Sequence, residues 1–325
     1  MTKEGFFVSI NDQDIILPDS IPAPNGEDFH NKFHLHPLAT ADIFVPCGGS
    51  PAAININNWK ELLNDEGKPK FRIIIEGITL NEKIIEAKEL ISGSKKITIL
   101  TGAGISTESG IADFRSPGGV WSHYKTVTIQ EFVSDTEKRK YYWKYKSDTI
   151  PSMLAAEPNA AHLAIGKLDR EKKLFRLLTQ NIDGLHERGG VDRKRIIRLH
   201  GTNKEVICLS CNKVQPIEGV LERIGRGEED PKCKECGGLL KPNTVSFGQS
   251  LNPEHLRIAE LASRECDLFM ALGSSLQVYP ACGYVEVAHN YGKKIIIINR
   301  APTPYDSMAA CCFSDSLAEI MARLV

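Results

Sequence analysis

The sequence predicts an α/β fold in which helices cover both faces of a parallel sheet, with a small metal-binding module added. Three observations predict it. From about residue 81 onward, short apolar runs that read as buried strands alternate with helix-patterned segments, as in sheets built from helical crossovers. Two closely spaced cysteine pairs, Cys208-x2-Cys211 and Cys233-x2-Cys236, mark the module. Several strands also run into polar or glycine-containing turns, TGAGIS, TQNID, GSS and NR, and ligands of such sheets bind beyond the carboxyl ends of the strands.

The elements follow in order. Residues 81–92 pattern as a helix and lead into the strand Ile97–Leu100, which ends in a glycine turn. Helical patterns cover residues 128–148 and 158–169, and Leu174–Leu178 reads as a second strand. Asp267–Leu272 is the next strand, followed by a helix from about Pro280, the strand Lys294–Ile298 and a closing helix from about Ser316.

A chain of 325 residues with 42% hydrophobic and 25% charged residues has room for one large domain plus a small module. Lysine plus arginine (40) balance aspartate plus glutamate (41), so no net field recruits nucleic acid or membrane. Neither direct sequence-specific nucleic-acid binding nor membrane association is expected. No run reaches the ~18 apolar residues of a membrane span. The opening MTKEGFFVSI lacks the apolar core of a secretory signal, and Glu4, Asp12 and Asp14 argue against an organelle presequence. Nine cysteines, four of them in two CxxC pairs, favour metal and free thiols over disulfides, which points to the reducing cytoplasm.

The segment Thr101 to Ser106 carries Gly102 and Gly104, and glycines let backbone approach a phosphate closely. The next glycine is Gly110, so the spacing of the dinucleotide fingerprint fails. The two cysteine pairs are separated by 21 residues, and each can place two thiolates on one tetrahedral zinc at ~2.3 Å. Four thiolates leave no open position, so the zinc is expected to be structural. Cys47, Cys266, Cys282, Cys311 and Cys312 lack such spacing and read as ordinary buried residues. His200 follows the run Ile196–Leu199 and precedes Gly201, and imidazole is the side chain best suited to removing a hydroxyl proton near neutral pH.

GAGISTESGIADFRS (102–116), TQNID (179–183), LHG (199–201), the two CxxC pairs, KPNTVSFGQ (241–249), GSSLQVY (273–279) and INR (298–300) resemble the sirtuins in order and spacing, over about residues 84–325. The resemblance implies a Rossmann-type domain in two parts, about 84–200 and 245–325, with a zinc-ribbon module at about 201–244 between them. It implies an NAD-dependent protein lysine deacetylase or deacylase, which passes the acyl group of an acylated-lysine protein to ADP-ribose and releases nicotinamide.

By the same resemblance Gly102, Ala103, Gly104 and Ser106 line the pyrophosphate, and Asp113, Phe114 and Arg115 lie on the loop over the nicotinamide ribose. Gln180 and Asn181 hold that ribose, and Ile182 and Asp183 the nicotinamide amide. His200 is the general base, with Asn181 beside it in the catalytic set. Gly273, Ser274 and Ser275 meet phosphate and ribose, Asn299 and Arg300 the adenosine side, and Leu317 the adenine. Val245 and Phe247 flank the substrate lysine. Cys208, Cys211, Cys233 and Cys236 bind the zinc.

The sequence departs from the family pattern at Ala112, where proline is common, and at Asn243, Ser246 and Gln249, where Asp, Phe and Glu are. These positions leave the acyl group open. Mono-ADP-ribosyl transfer or NAD hydrolysis on the same fold is the alternative reading. A non-catalytic NAD-binding or zinc-ribbon interaction module is a further one, which the presence of His200, Asn181 and Asp183 disfavours.

Residues 1–80 differ in character. FHNKFHLHPLATADIFVPCGGSPAAININNWKELL (29–63) and GKPKFRIIIEG (67–77) resemble a fragment of large NAD-dependent glutamate dehydrogenases over about residues 5–77. Ser50 stands where that family has arginine, and the glycine-rich turn and catalytic domain are missing. The segment is expected to be non-catalytic.

Overall fold

A computed structural model describes residues 80–114 and 118–325, plus four short strands nearer the N-terminus. The chain divides into two units, Met1–Lys83 and Ile84–Val325. In the first unit Phe7–Ile10 (β1) pairs antiparallel with Gln13–Ile16 (β2), and Ala41–Asp42 (β3) pairs in parallel with Phe71–Arg72 (β4). Most of the dehydrogenase-like stretch, with Cys47 and Ser50, lies outside the described residues, as does Arg115.

In the second unit, helix α1 (Leu80–Gly93) leads to β5 (Ile97–Thr101), as the pattern predicts. The expected helix over 128–148 is instead broken, after a single turn α2 (Val120–His123), into α3 (Ile129–Ser134) and α4 (Thr136–Ala155). Two caps explain the break. Thr128 and Glu131 form a reciprocal capping box that starts α3, and Asp135 accepts from the amides of Glu137 and Lys138 at 2.9 and 3.1 Å to start α4.

Then come α5 (Ala160–Arg170), β6 (Leu174–Thr179), α6 (Leu185–Arg188) and β7 (Ile196–Arg198). After the cysteine module follow α8 (Pro253–Glu265), β11 (Leu268–Leu272), α9 (Gly283–Asn290), β12 (Lys294–Ile298), β13 (Cys311–Phe313) and α10 (Leu317–Leu324), with the module supplying β8 to β10 and α7. The helix expected from Pro280 thus begins at Gly283. The edge strands β7 and β13 are too short for periodicity to reveal.

Strands β13-β12-β11-β5-β6-β7 form a six-stranded, wholly parallel sheet in that spatial order. Alternate residues of the central strands feed two cores. Ile97, Ile99, Leu268, Met270 and Leu272 pack with residues of α1, α5 and α10 on one face. Leu100, Phe269 and Ala271 pack with residues of α8 and α9 on the other. Full burial of each such Ile, Leu or Phe contributes about 1.5–3 kcal/mol, so the double cover explains why these strands carry no alternating polar positions.

The strand order reverses between β5 and β11, because the chain builds outward to β7 and then returns to build from β11 to β13. That switch point is where a crevice opens above the carboxyl ends.

The module is a three-stranded antiparallel sheet ordered β10 (Leu240–Thr244), β8 (Gly201–Cys208), β9 (Val214–Pro216), with helix α7 (Glu218–Gly225). Phe132 of α3 and Tyr142, Trp143 and Ile150 of α4 share its core with Val206, Val220 and Leu240. Arg139 of α4 clamps Asp230 with two bonds of 2.7 and 2.8 Å. Among the described residues no helix is long and apolar enough to cross a membrane.

Candidate active site

Two glycine turns meet at the switch point. The Gly102 amide donates to the Leu272 carbonyl at 3.0 Å and Gly104 to the Gly273 carbonyl at 2.8 Å. A Cβ on Gly102 would stand 2.7 Å from that same carbonyl oxygen, and Gly273 has φ of 62°, so both turns require glycine. Here glycines let backbone approach backbone, which the failed fingerprint spacing could not foretell.

Above the turns lies a cavity of about 930 Å³. It gathers Gly102, Ala103 and Gly104 from the first turn and Gly273, Ser274 and Ser275 from the second. Asp113 and Phe114 reach it from the following loop, Gln180, Asn181 and Ile182 from the end of β6, and Asn299, Arg300 and Leu317 from beyond β12. His200, Val245 and Phe247 line it from the module side. Two residues expected among the contacts stand apart. Ser106 and Asp183 line a smaller adjoining cavity of about 200 Å³, which also touches Ala103, Phe114, Asn181 and Ile182. The Ser106 hydroxyl donates to Asp183 Oδ2 at 2.8 Å and accepts from Asn181 Nδ2 at 3.1 Å. The Ser106 side chain thus braces the Asn181–Asp183 loop.

That loop is tightly held. Asp183 Oδ1 accepts from the Leu185 amide at 2.9 Å, and the Asn181 amide donates to Thr179 Oγ1 at 3.0 Å. Gln180 Nε2 donates to Ser274 Oγ at 3.0 Å, which joins the β6 end to the second glycine turn.

His200 lies between β7 and β8. Its Nδ1 is 3.1 Å from the Gln180 carbonyl oxygen, and a carbonyl only accepts, so Nδ1 carries the proton. Nε2 is left with its lone pair. Burial holds the imidazole below its ordinary pKa of 6.5, against an opposing contribution from the Gln180 bond, so it is neutral at physiological pH. The Val245 amide donates to the His200 carbonyl at 2.9 Å, which sets the two residues side by side in the backbone, and Phe247 is 53% exposed.

Sequence reasoning missed Tyr142, Tyr145 and Lys146, three cavity-lining residues on one helix, α4. Their spacing reads only as a helix face. Lys146 is buried, with Nζ 5.5 and 5.1 Å from the centroids of the two tyrosine rings and 3.4 Å from Asn203 Oδ1. Among the described residues no carboxylate pairs with it, and burial pushes it down to about 8. Lys241 is also buried and is pushed to about 7, by desolvation and then by the charge of Lys146.

The sulfurs of Cys208, Cys211, Cys233 and Cys236 all lie within 4.8 Å of one another. The Cys208–Cys236 and Cys211–Cys233 separations are 3.4 and 3.9 Å. A tetrahedron with Zn–S of ~2.3 Å has edges of about 3.8 Å, so the set fits one structural zinc ion.

A parallel sheet with a ligand cavity at its switch point, a neutral histidine at the cavity wall and a four-thiolate ribbon defines a Rossmann-like nucleotide-binding protein with a zinc module. The chain belongs to the Sir2 family, whose family model matches residues 102–280. It is 42% identical over 248 residues to an NAD-dependent protein deacetylase of Thermodesulfovibrio yellowstonii, covering 76% of this chain and 96% of that one. It is 44% identical over 223 residues to NAD-dependent protein deacetylase 2 of Streptomyces coelicolor, covering 67% and 92%. A solved Sir2 structure with a deacetylated p53 peptide and 3'-O-acetyl-ADP-ribose superposes with a TM-score of 0.70 at 35% identity, covering 74% of this chain and 96% of that one. These comparisons lend no support to the dehydrogenase resemblance of residues 5–77.

Proposed function

We propose that the protein is an NAD-dependent protein lysine deacylase, acting on acylated-lysine proteins and moving the acyl group to ADP-ribose with release of nicotinamide. The observation that carries this reading is His200: neutral, at the cavity wall beside Val245, its Nδ1 tied to Gln180 and its Nε2 holding a lone pair. A pure binder needs no such base. NAD would supply the ribose carbon that bonds the acyl oxygen as the nicotinamide bond breaks, and one water is consumed in freeing the lysine.

The chain's own residues divide the remaining work. The interlocked glycine turns bring Ala103 and Ser274 to the phosphates, and Asn299, Arg300 and Leu317 close the adenosine end. Asn181, held through both its backbone amide and its side chain, fixes the ribose. Asp183 and Ile182 lie at the smaller cavity, which suits the departing nicotinamide. His200 takes a proton from a ribose hydroxyl through Nε2. Val245 and Phe247 flank the substrate lysine. These roles fall to residues 84–325, with 1–80 outside the reaction, and the reducing compartment that thiolate zinc ligands require fits a cytoplasmic protein.

The experiment is direct. Protein and NAD are incubated with an acetyl-lysine peptide, and the products identified by mass spectrometry. Free lysine peptide, nicotinamide and O-acetyl-ADP-ribose are expected in equal amounts. ADP-ribose attached to protein, or nicotinamide released without loss of acetyl, would replace this reading with the ADP-ribosyl-transfer or hydrolase alternative.

A further inference from the structure

Behind the Asn181 loop two histidines are buried side by side. His162 of α5 and His186 of α6 are 0% and 2% exposed, with ring centroids 5.0 Å apart and planes inclined at 51°. Each ring uses one nitrogen and leaves the other, His162 Nε2 and His186 Nδ1, buried without a hydrogen-bond partner. Two orphan nitrogens in one buried place are costly unless they serve each other.

Their protonation follows from their neighbours. The Asn159 amide points its N–H at His162 Nδ1, at 3.4 Å, so the proton of this neutral ring is on Nε2. His162 Nε2 is therefore an unused donor. His186 Nε2 lies 2.9 Å from Thr101 Oγ1, which is 2.8 Å from Thr179 Oγ1, which accepts from the Asn181 amide at 3.0 Å. Thr101 spends its single proton on Thr179 and so accepts from His186 Nε2–H, which leaves His186 Nδ1 as an acceptor. The opposite tautomer would set two buried N–H donors against each other with no acceptor. Burial keeps both rings neutral, pushing each far below its ordinary pKa; His186 lowers His162 further, while Asp183 beside His162 and Glu187 beside His186 oppose this without offsetting it.

We propose that His162 Nε2–H is paired to His186 Nδ1, directly or through one water, and that this link makes His186 a positioning residue for Asn181. The completed path runs Asn159, His162, His186, Thr101, Thr179, Asn181. Its far end also holds the first glycine turn, since Asn159 Nδ2 donates to the Ile105 carbonyl at 2.8 Å and to Ser109 Oγ at 3.1 Å. The turn and the Asn181 loop are thus joined twice, in front through Ser106 and behind through the histidine pair. Neither histidine lines the cavity, so the pair acts through Asn181, and the catalytic consequence rests on the function proposed above.

The test has two arms. Nitrogen-15 NMR of the histidine rings should show His162 and His186 both neutral and both protonated at Nε2 between pH 5 and pH 7. An Nδ1–H tautomer or a charged ring at either position overturns the pairing, whatever the enzyme does. In the second arm, His186→Phe keeps an aromatic ring, slightly larger, and removes both nitrogens. Turnover at saturating NAD and acetyl-peptide should fall about ten- to a hundredfold, as for a small misplacement of a reacting group, with KM for NAD within about threefold. His186→Gln, whose amide N–H can reach Thr101, should recover most of the loss. If His186→Phe does not fold, Thr101→Val breaks the same path one bond further on and should show the same selective loss of turnover. Parent-like turnover in the variant that folds, or equal loss in His186→Phe and His186→Gln, overturns the positioning role. A parent protein inactive on every acyl-peptide sinks the functional reading instead and leaves the NMR result to judge the pair.

Discussion

The amide of Gly104 donates to the carbonyl oxygen of Gly273 at 2.8 Å, and a Cβ on Gly273 would stand 2.3 Å from the Ile105 nitrogen. The two turns that frame the cavity floor are therefore one interlocked unit. Gly273→Ala adds a side chain against backbone at a φ of 62°. It should cost about 1–3 kcal/mol in backbone strain alone. A lowered melting temperature together with weaker NAD binding by titration is expected, and a parent-like result in both would show that the turns are not coupled.

His200→Ala should lower deacylation by about 10²–10⁴ while NAD binding stays nearly unchanged, since the base acts after the nucleotide is in place. The same residue predicts the pH profile. Burial lowers its pKa below 6.5, and the general base of the proposed function acts in its neutral form. Activity should accordingly persist as the pH falls past 6.5 and decline only as the lowered pKa is crossed. An acid limb of kcat/KM centred above 6.5 would contradict the assignment.

Cys208→Ser removes one thiolate from a set whose four sulfurs all lie within 4.8 Å. The purified parent should contain one zinc per chain by atomic emission, and the variant should lose metal and melt earlier, because a structural site contributes directly to folding. Finding no zinc in unchelated parent protein counts against the site.

Asn181→Ala should reduce nicotinamide release at saturating NAD and peptide more than it weakens NAD affinity. The residue is only 8% exposed and its side chain donates to Ser106, so under the proposed function its effect falls on orientation of the sugar in the transition state. A loss of turnover no larger than the loss in thermal stability explains would leave Asn181 a loop brace.

Lys146→Met should stabilise the fold by about 1–3 kcal/mol at neutral pH, because it replaces a buried cation that lacks a carboxylate. The sign follows from the titration. Between the folded value of about 8 and the ordinary 10.5, the unfolded chain holds a proton at Lys146 that the folded chain does not. Parent stability therefore gains from Lys146 as the pH rises through that window. The advantage of the methionine variant should shrink from pH 7 to pH 10.5 in paired melting curves. A destabilised variant at neutral pH would show that the ammonium is favourably placed.

Some of this was legible in the residues. The runs Ile97–Leu100, Leu174–Leu178, Asp267–Leu272 and Lys294–Ile298 are predominantly apolar, as doubly covered strands are, and each supplies a strand of the parallel sheet. Other features were not. A 128–148 helix follows from periodicity, yet Asp135 offers its carboxylate to two amides and restarts the chain in a new helix. The family resemblance groups Ser106 with the pyrophosphate contacts, and the motif does not reveal that its hydroxyl donates to Asp183.

By itself, then, the sequence determined four of the six sheet strands and which four thiols are spaced for one metal, and its family motifs grouped His200 with a glycine turn and an Asn-Ile-Asp loop. Those are local matters of period, spacing and donor chemistry. Only the tertiary structure decided that β5 lies beside β11, so that Gly102 and Gly104 meet Gly273, and that α4 brings Lys146 to the cavity. It alone decided that His162 and His186 share one buried place. Hydrophobic period reports that a face is covered but not by what. The partners of a hydrogen bond between distant segments are chosen when the whole sheet and its cover are packed at once.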